Sequence, residues 1–213
     1  MRGLFVAGTD TGVGKTVAAA CLTRALDGDY WKPVQSGLAG EGKGETDTET
    51  VRRLLGFADD RLHPPAYELT RPLSPHQAAK LDGVSIDMAA FHAPKTSRPL
   101  VVEGAGGALV PLNEDKTMAD LMARLGLPVV LVARSGLGTI NHTLLSLEAL
   151  AVRGVSVLGV IVNGPSNPAN AEAIRHYGKV RIIMELEPME PLDAEAVKDA
   201  AEKLSRILPR MLK

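Results

Sequence analysis

Short apolar runs rich in branched residues recur at positions 4–7, 30–34, 100–102, 129–133, 155–162 and 180–184. Such runs predict buried strands. Between most of them lie stretches of helix formers with apolar residues near helical spacing: 15–26, 46–55, 86–93, 118–125, 140–152, 169–177 and 194–208. This alternation predicts an α/β fold, a mostly parallel sheet with helices on both faces in a three-layer sandwich. In such a sheet the ligand crevice lies outside the carboxyl ends of the strands. Polar and glycine-rich clusters follow several strand runs, at 8–16, 35–44, 103–107, 134–139 and 163–167. They are the candidate site segments. Residues 37–44, GLAGEGKG, are the least regular and are expected to form a surface loop.

Composition narrows the picture. A chain of 213 residues, 45% hydrophobic and without an internal repeat or linker, is expected to form one domain over residues 1–213. The 24 basic and 25 acidic residues nearly cancel, so no broad positive field invites nucleic acid and no basic run marks a membrane surface. Neither is an expected partner. The lone Cys21 excludes an internal disulfide framework, the first residues do not resemble a signal peptide, and the apolar runs fall short of a bilayer span. The expected compartment is the cytoplasm.

The chemistry starts with GTDTGVGKT, Gly8 to Thr16. A phosphate-binding loop needs glycines that let backbone N–H groups turn inward, a helix amino terminus, a lysine for phosphate charge and a hydroxyl for magnesium. Gly12, Gly14, Lys15 and Thr16 supply these, although the first glycine lies one residue further back than the usual spacing allows. The strand before and the helix after identify a nucleoside triphosphate site in a P-loop NTPase-like sandwich. Glu103 ends the strand of LVVEGAGG and is a candidate magnesium ligand, and Gly104, Gly106 and Gly107 after it leave room for a ligand at the backbone. Asp47 is either a second metal ligand or a helix cap. Lys32, before Pro33, is expected at the crevice, where it can neutralise an anionic intermediate. Ser36 can hydrogen-bond the same substrate or serve the turn. The histidines are scattered, and no cysteine pair has zinc or haem spacing.

The segments GTDTGVGKT, KPVQSG, TD, SPH, VEGAGG, GTINH and VNG occur in the order found in dethiobiotin synthetases. The chain resembles that family from Leu4 to about Gly164, and the lengthened phosphate loop is itself characteristic of the family. The resemblance implies ATP-dependent ring closure in biotin synthesis: CO2 is joined to the two neighbouring amines of 7,8-diaminopelargonic acid, with ATP and Mg2+ required. It implies catalytic roles for Lys15 and Lys32, and magnesium held by Thr16, Asp47 and Glu103. Nucleotide would contact Gly12, Val13, Gly14, Lys15, Thr16, Val17, Asp47, Glu103, Gly104, Ala105, Gly106, Asn163 and Gly164, and less directly residues 186–188. The diamino acid would contact Thr11 and Ser36. Its distant carboxylate would reach Gly138, Thr139 and Asn141 of a neighbouring subunit in a homodimer, a segment that can also be read as a helix start capped by Thr139. This chain departs from the family at Gly12, where some members are acidic, and at MELEPMEP, which does not follow the expected Ile-Pro turn. The competing classes are a partitioning-ATPase-like nucleotide switch and a small-molecule kinase. The first usually carries a lysine where Thr9, Asp10 and Thr11 stand here.

Overall fold

The computed structural model describes residues 2–38, 44–57 and 59–208, so most of the loop expected at 37–44 lies outside the described residues. In chain order the elements are β1 (Gly3–Gly8), α1 (Lys15–Ala25), β2 (Asp29–Trp31), β3 (Val34–Ser36), α2 (Asp47–Leu55), β4 (Leu62–His63), β5 (Tyr67–Leu69) and α3 (Pro75–Leu81). There follow β6 (Leu100–Gly107), α4 (Met118–Leu125), β7 (Val129–Arg134), α5 (Thr139–Val152), β8 (Val157–Asn163), α6 (Pro168–Gly178), β9 (Ile182–Leu186) and α7 (Ala194–Ile207).

Seven strands form one sheet in the order β4-β2-β6-β1-β7-β8-β9, and every ladder in it is parallel. β1 is apolar on both faces because both are covered. Leu4 and Val6 pack with α1, α2 and α7, while Phe5 and Ala7 pack with α4, α5 and α6. From β1 the chain crosses to β2 on one side, and from β6 it crosses to β7 on the other. The loops after β1 and β6 therefore part at the middle of the carboxyl edge, where α/β sheets open a crevice.

Three local expectations are corrected. The run 30–34 is not one strand: β2 stops at Trp31, and β3 belongs to a separate parallel pair with β5. Pro33 has no N–H to continue the ladder, and its carbonyl accepts from Ala66 N at 2.9 Å and Tyr67 N at 3.1 Å, which starts the second pair. The helix expected at 86–93 is only a 3-10 turn, Met88–Ala90, whose Ala89 N donates to the Asp87 side chain at 2.8 Å. Conversely, α3 begins with Pro at its first position after Ser74, a start signal that the apolar spacing of so short a segment hides. No helix among the described residues is long and apolar enough to cross a membrane.

Phe5 is fully buried at the centre of the sheet. Phe5→Ala should cost about 3–5 kcal/mol of stability, read from urea unfolding, by lost burial and the cavity left behind.

Candidate functional site

The phosphate loop links β1 to α1. Gly14 is the N-cap of α1 at φ 91°, in the left-handed region, and no side chain caps the helix. The first N–H groups of α1 thus keep no side-chain acceptor and face a cavity of about 780 Å³. A Cβ on Gly14 would overlap the amide of Asn163, whose Nδ2 donates to Val13 O at 3.0 Å. The early glycine also has a reason. Lys15 folds back along the loop to donate from Nζ to Asp10 O at 2.9 Å, and a Cβ on Gly8 would stand 2.9 Å from that ammonium.

Opposite the loop, Glu103 is buried on β6. Its Oε1 faces Thr16 Oγ1 at 3.0 Å and Lys32 Nζ at 2.8 Å, and its Oε2 accepts from Tyr30 Oη at 2.8 Å. Lys32 is likewise buried, and its three N–H bonds find three acceptors: Asp47 Oδ2 at 2.6 Å, Glu103 Oε1, and Gly104 O at 3.1 Å. Burial alone would lower the Lys32 ammonium, but Glu103 and Asp47 outweigh it and raise it above its ordinary value. Burial would likewise raise the Asp47 carboxyl, yet Lys32 and the Thr16 hydroxyl hold it below its usual range. Tyr30 is pushed well up, first by burial and then by the charge of Glu103, so it stays a protonated donor. Lys15 goes the other way: burial and then Lys32 lower it to about 8.

Asp47 is not the cap of its helix. Thr46 and Glu49 form a reciprocal capping box, which leaves the Asp47 carboxylate free for Thr16 and Lys32. Gln35 braces the same turn, since its Oε1 accepts from Asp47 N at 3.3 Å. The Thr16 hydroxyl lies 2.9 Å from Asp47 Oδ1 and 3.0 Å from Glu103 Oε1, but it has only one proton to give. Three hard oxygens converge with one donor too few. That set suits a magnesium ion, which takes one or two carboxylates and completes its shell with water and phosphate. Among the described residues there is no cluster of three or more His, Cys, Asp or Glu that would form an all-protein cage.

The cavity is lined by Thr11, Gly12, Gly14, Lys15, Thr16, Val17, Lys32, Ser36, Asp47, Glu103, Ala105 and Gly106, all singled out from the sequence. Ser36 Oγ is buried and has no hydrogen-bond partner among the described residues. Val34, Pro72, Leu73, Pro75 and Val110 form an apolar wall that sequence reasoning missed. Val13, Gly104, Asn163, Gly164, Gly138, Thr139 and Asn141 do not line this cavity. Val13 points its side chain into the core. The glycines after Glu103 also have a packing reason: added Cβ atoms would meet Phe5 at Gly104, Val110 at Gly106 and Thr9 at Gly107. Thr139 does not cap α5 either. Gly138 is the N-cap at φ 90° with no side-chain cap, while Thr139 Oγ1 donates to Arg134 O at 2.5 Å. Asn141 is exposed.

Fold and site define a phosphate-loop nucleotide-binding protein, and the family model described as an AAA domain matches residues 2–196. Among solved structures the fold is shared with the cell division ATPase MinD of Pyrococcus furiosus, with a TM-score of 0.64 at 15% identity over 99% of this chain and 100% of that one. MinD of Pyrococcus horikoshii, complexed with Mg-ADP, gives 0.61 at 14% identity over 99% of this chain and 94% of that one. Sequence likeness goes further. The chain is 54% identical to the ATP-dependent dethiobiotin synthetase BioD of Paramagnetospirillum magneticum, over 92% of this chain and 93% of that one. It is 53% identical to BioD of Nitrobacter hamburgensis, over 92% and 91%. The biotin biosynthesis bifunctional protein BioCD of Bordetella avium is also 54% identical over 92% of this chain, which spans 42% of that protein's length. The chain belongs to the dethiobiotin synthetase family.

The lowered Lys15 gives a pH signature in the nucleotide-free protein. The unfolded chain holds this proton up to about its ordinary value of 10.5, whereas the folded chain releases it near 8. Between those values the unfolded state binds more protons, so this group's destabilising effect fades as pH rises. The stability advantage of Lys15→Met over the wild type, measured by urea unfolding, should be largest at pH 7.5 and shrink by pH 10.

Proposed function

We propose that this chain is an ATP-dependent dethiobiotin synthetase, which closes a cyclic urea from CO2 and the two neighbouring amines of 7,8-diaminopelargonic acid. The observation that carries the reading is the buried Lys32 held by Asp47 and Glu103, the same two carboxylates that Thr16 meets at the uncapped start of α1, all on the wall of one cavity. The positive start of α1 with Lys15, beside two carboxylates that can share a divalent cation with Thr16, suits a phosphoryl group moving onto a second anion.

In the proposed reaction, one amine adds to CO2 and loses a proton, giving a carbamate. A carbamate oxygen attacks the γ-phosphorus and ADP leaves, so a mixed carbamic-phosphoric anhydride forms. The second amine then attacks the carbonyl carbon, phosphate leaves, and the ring closes. The N–H groups of α1 and Lys15 hold the triphosphate, and Lys32 balances charge on the carbamate side. Thr16, Asp47 and Glu103 would hold a magnesium ion, which when bound neutralises phosphate charge. The unpartnered Ser36 hydroxyl supports a contact to the reacting end of the substrate, and Val34, Pro72, Leu73 and Val110 suit its aliphatic chain.

The distant carboxylate goes to the α5 start of a neighbouring subunit. The uncapped α5, the exposed Asn141 and their place outside this chain's own cavity support that homodimer reading. Thr139 would act there through its N–H, since its hydroxyl is engaged with Arg134 O. Asn163 and Gly164, beside the loop at the end of β8, would meet the base, with residues 186–188 near them.

The decisive assay is mass spectrometry of the product. With ATP, bicarbonate and the diamino acid, the cyclic urea should form with one ADP released per ring, and omitting bicarbonate or the diamino acid should stop ADP release. ADP release that needs neither would remove the reading. Lys32→Ala should lower kcat by ~10² to 10³ at saturating substrate, as expected for loss of one preorganised charge. Asn141→Ala should raise KM for the diamino acid while leaving that for ATP unchanged, and an active monomer in solution would exclude the shared site.

A further inference from the structure

The roles assigned above use one oxygen of Glu103. The other is held from below by Tyr30, a fully buried residue of β2. Sheet register explains the contact. Tyr30 pairs with Val101, two residues before Glu103 on β6, so all three side chains share one face of the sheet. Lys32, two residues beyond Tyr30, comes to Glu103 from the same side. Oε1 is thereby left toward Thr16 and Lys32, while Oε2 is tied to the phenol.

We propose that Tyr30 is a positioning residue: its hydroxyl, bonded to Glu103 Oε2, fixes the carboxylate so that Oε1 is the oxygen presented to a divalent cation at Thr16. The proposal rests on the reading of Glu103 as a magnesium ligand. Without the phenol, Oε2 loses the donor that the structure gives it. The carboxylate is then free to rotate about its Cγ–Cδ bond, and Oε1 is no longer held at Thr16, where the cation would bind. A tyrosine kept only for packing would act through its ring, and phenylalanine preserves the ring.

The test is Mn2+ binding to the ADP complex, followed by the paramagnetic resonance of free Mn2+, together with ADP binding without metal. Tyr30→Phe should weaken Mn2+ about tenfold, the lower end for loss of a group that orients a metal ligand, and leave metal-free ADP affinity unchanged. In a Glu103→Gln background the same change should add nothing. Mn2+ affinity within twofold of wild type would overturn the proposal while leaving Glu103 as a ligand. Wild-type Mn2+ binding that ignores Glu103→Gln would overturn the magnesium reading and the proposal with it. Should Tyr30→Phe fail to fold, fluorotyrosine-labelled wild-type protein gives the answer. Its 3 tyrosine resonances are assigned with Tyr67→Phe and Tyr177→Phe. The Tyr30 signal should shift when Mg2+ is added to the ADP complex and stay fixed in Glu103→Gln. A signal that stays fixed in both would overturn the proposal.

Discussion

A carboxylate buried midway along a central strand organises this structure, since β6 runs on past Glu103 to Gly107 instead of ending there. Burying Glu103 would cost several kcal/mol if it were left alone, so the chain must deliver partners to it, and each partner comes from a different element. Thr16 arrives on the first turn of α1, Tyr30 on the neighbouring strand, and Lys32 just past the point where that strand ends. Asp47 is drawn in through Lys32 and Thr16. The phosphate loop, the break at Pro33 and the start of α2 are thereby tied to one anion. That is why the site stands ready before any ligand arrives.

The charges around that anion do not balance one for one. Lys32 is shared by two carboxylates, whereas among the described residues Lys15 hydrogen-bonds a backbone carbonyl and is near its midpoint at mildly alkaline pH. One lysine is locked and the other is held in reserve. The reserve lysine lies at the phosphate loop, and the locked one lies beside it, on the carboxylates that Thr16 meets.

What the sequence made legible was local. The parallel α/β plan, the phosphate loop and the place of Lys32 and Glu103 at the cavity each rest on a short motif and its neighbouring strand or helix. What it hid depended on register and on competition. Asp47 read equally as cap or ligand because both roles start a helix with an acid; the Thr46–Glu49 box takes the cap and frees it. Gly104, Gly106 and Gly107 looked like space for a ligand, but their contacts with Phe5, Val110 and Thr9 appear only after distant segments are brought together. Tyr30 looked like any aromatic of a buried strand, since the direction of its hydroxyl depends on pairing with β6, whose Glu103 lies 73 residues further along the chain. The apolar wall at 72–75 went unseen because the short α3 behind it shows too few turns to reveal a period.

The break at Pro33 has a consequence for how the molecule can change. Among the described residues β3 and β5 pair only with each other, as a small platform outside the seven-stranded sheet, and Val34, Ser36 and the Pro72–Leu73 turn line the cavity from it. Substitutions on this platform can reshape the side of the cavity without unpairing a strand of the main sheet. The loop after β1 and the cavity wall built on β3, β5 and the 72–73 turn therefore sit on separate supports, and the second can drift in evolution while the first stays fixed.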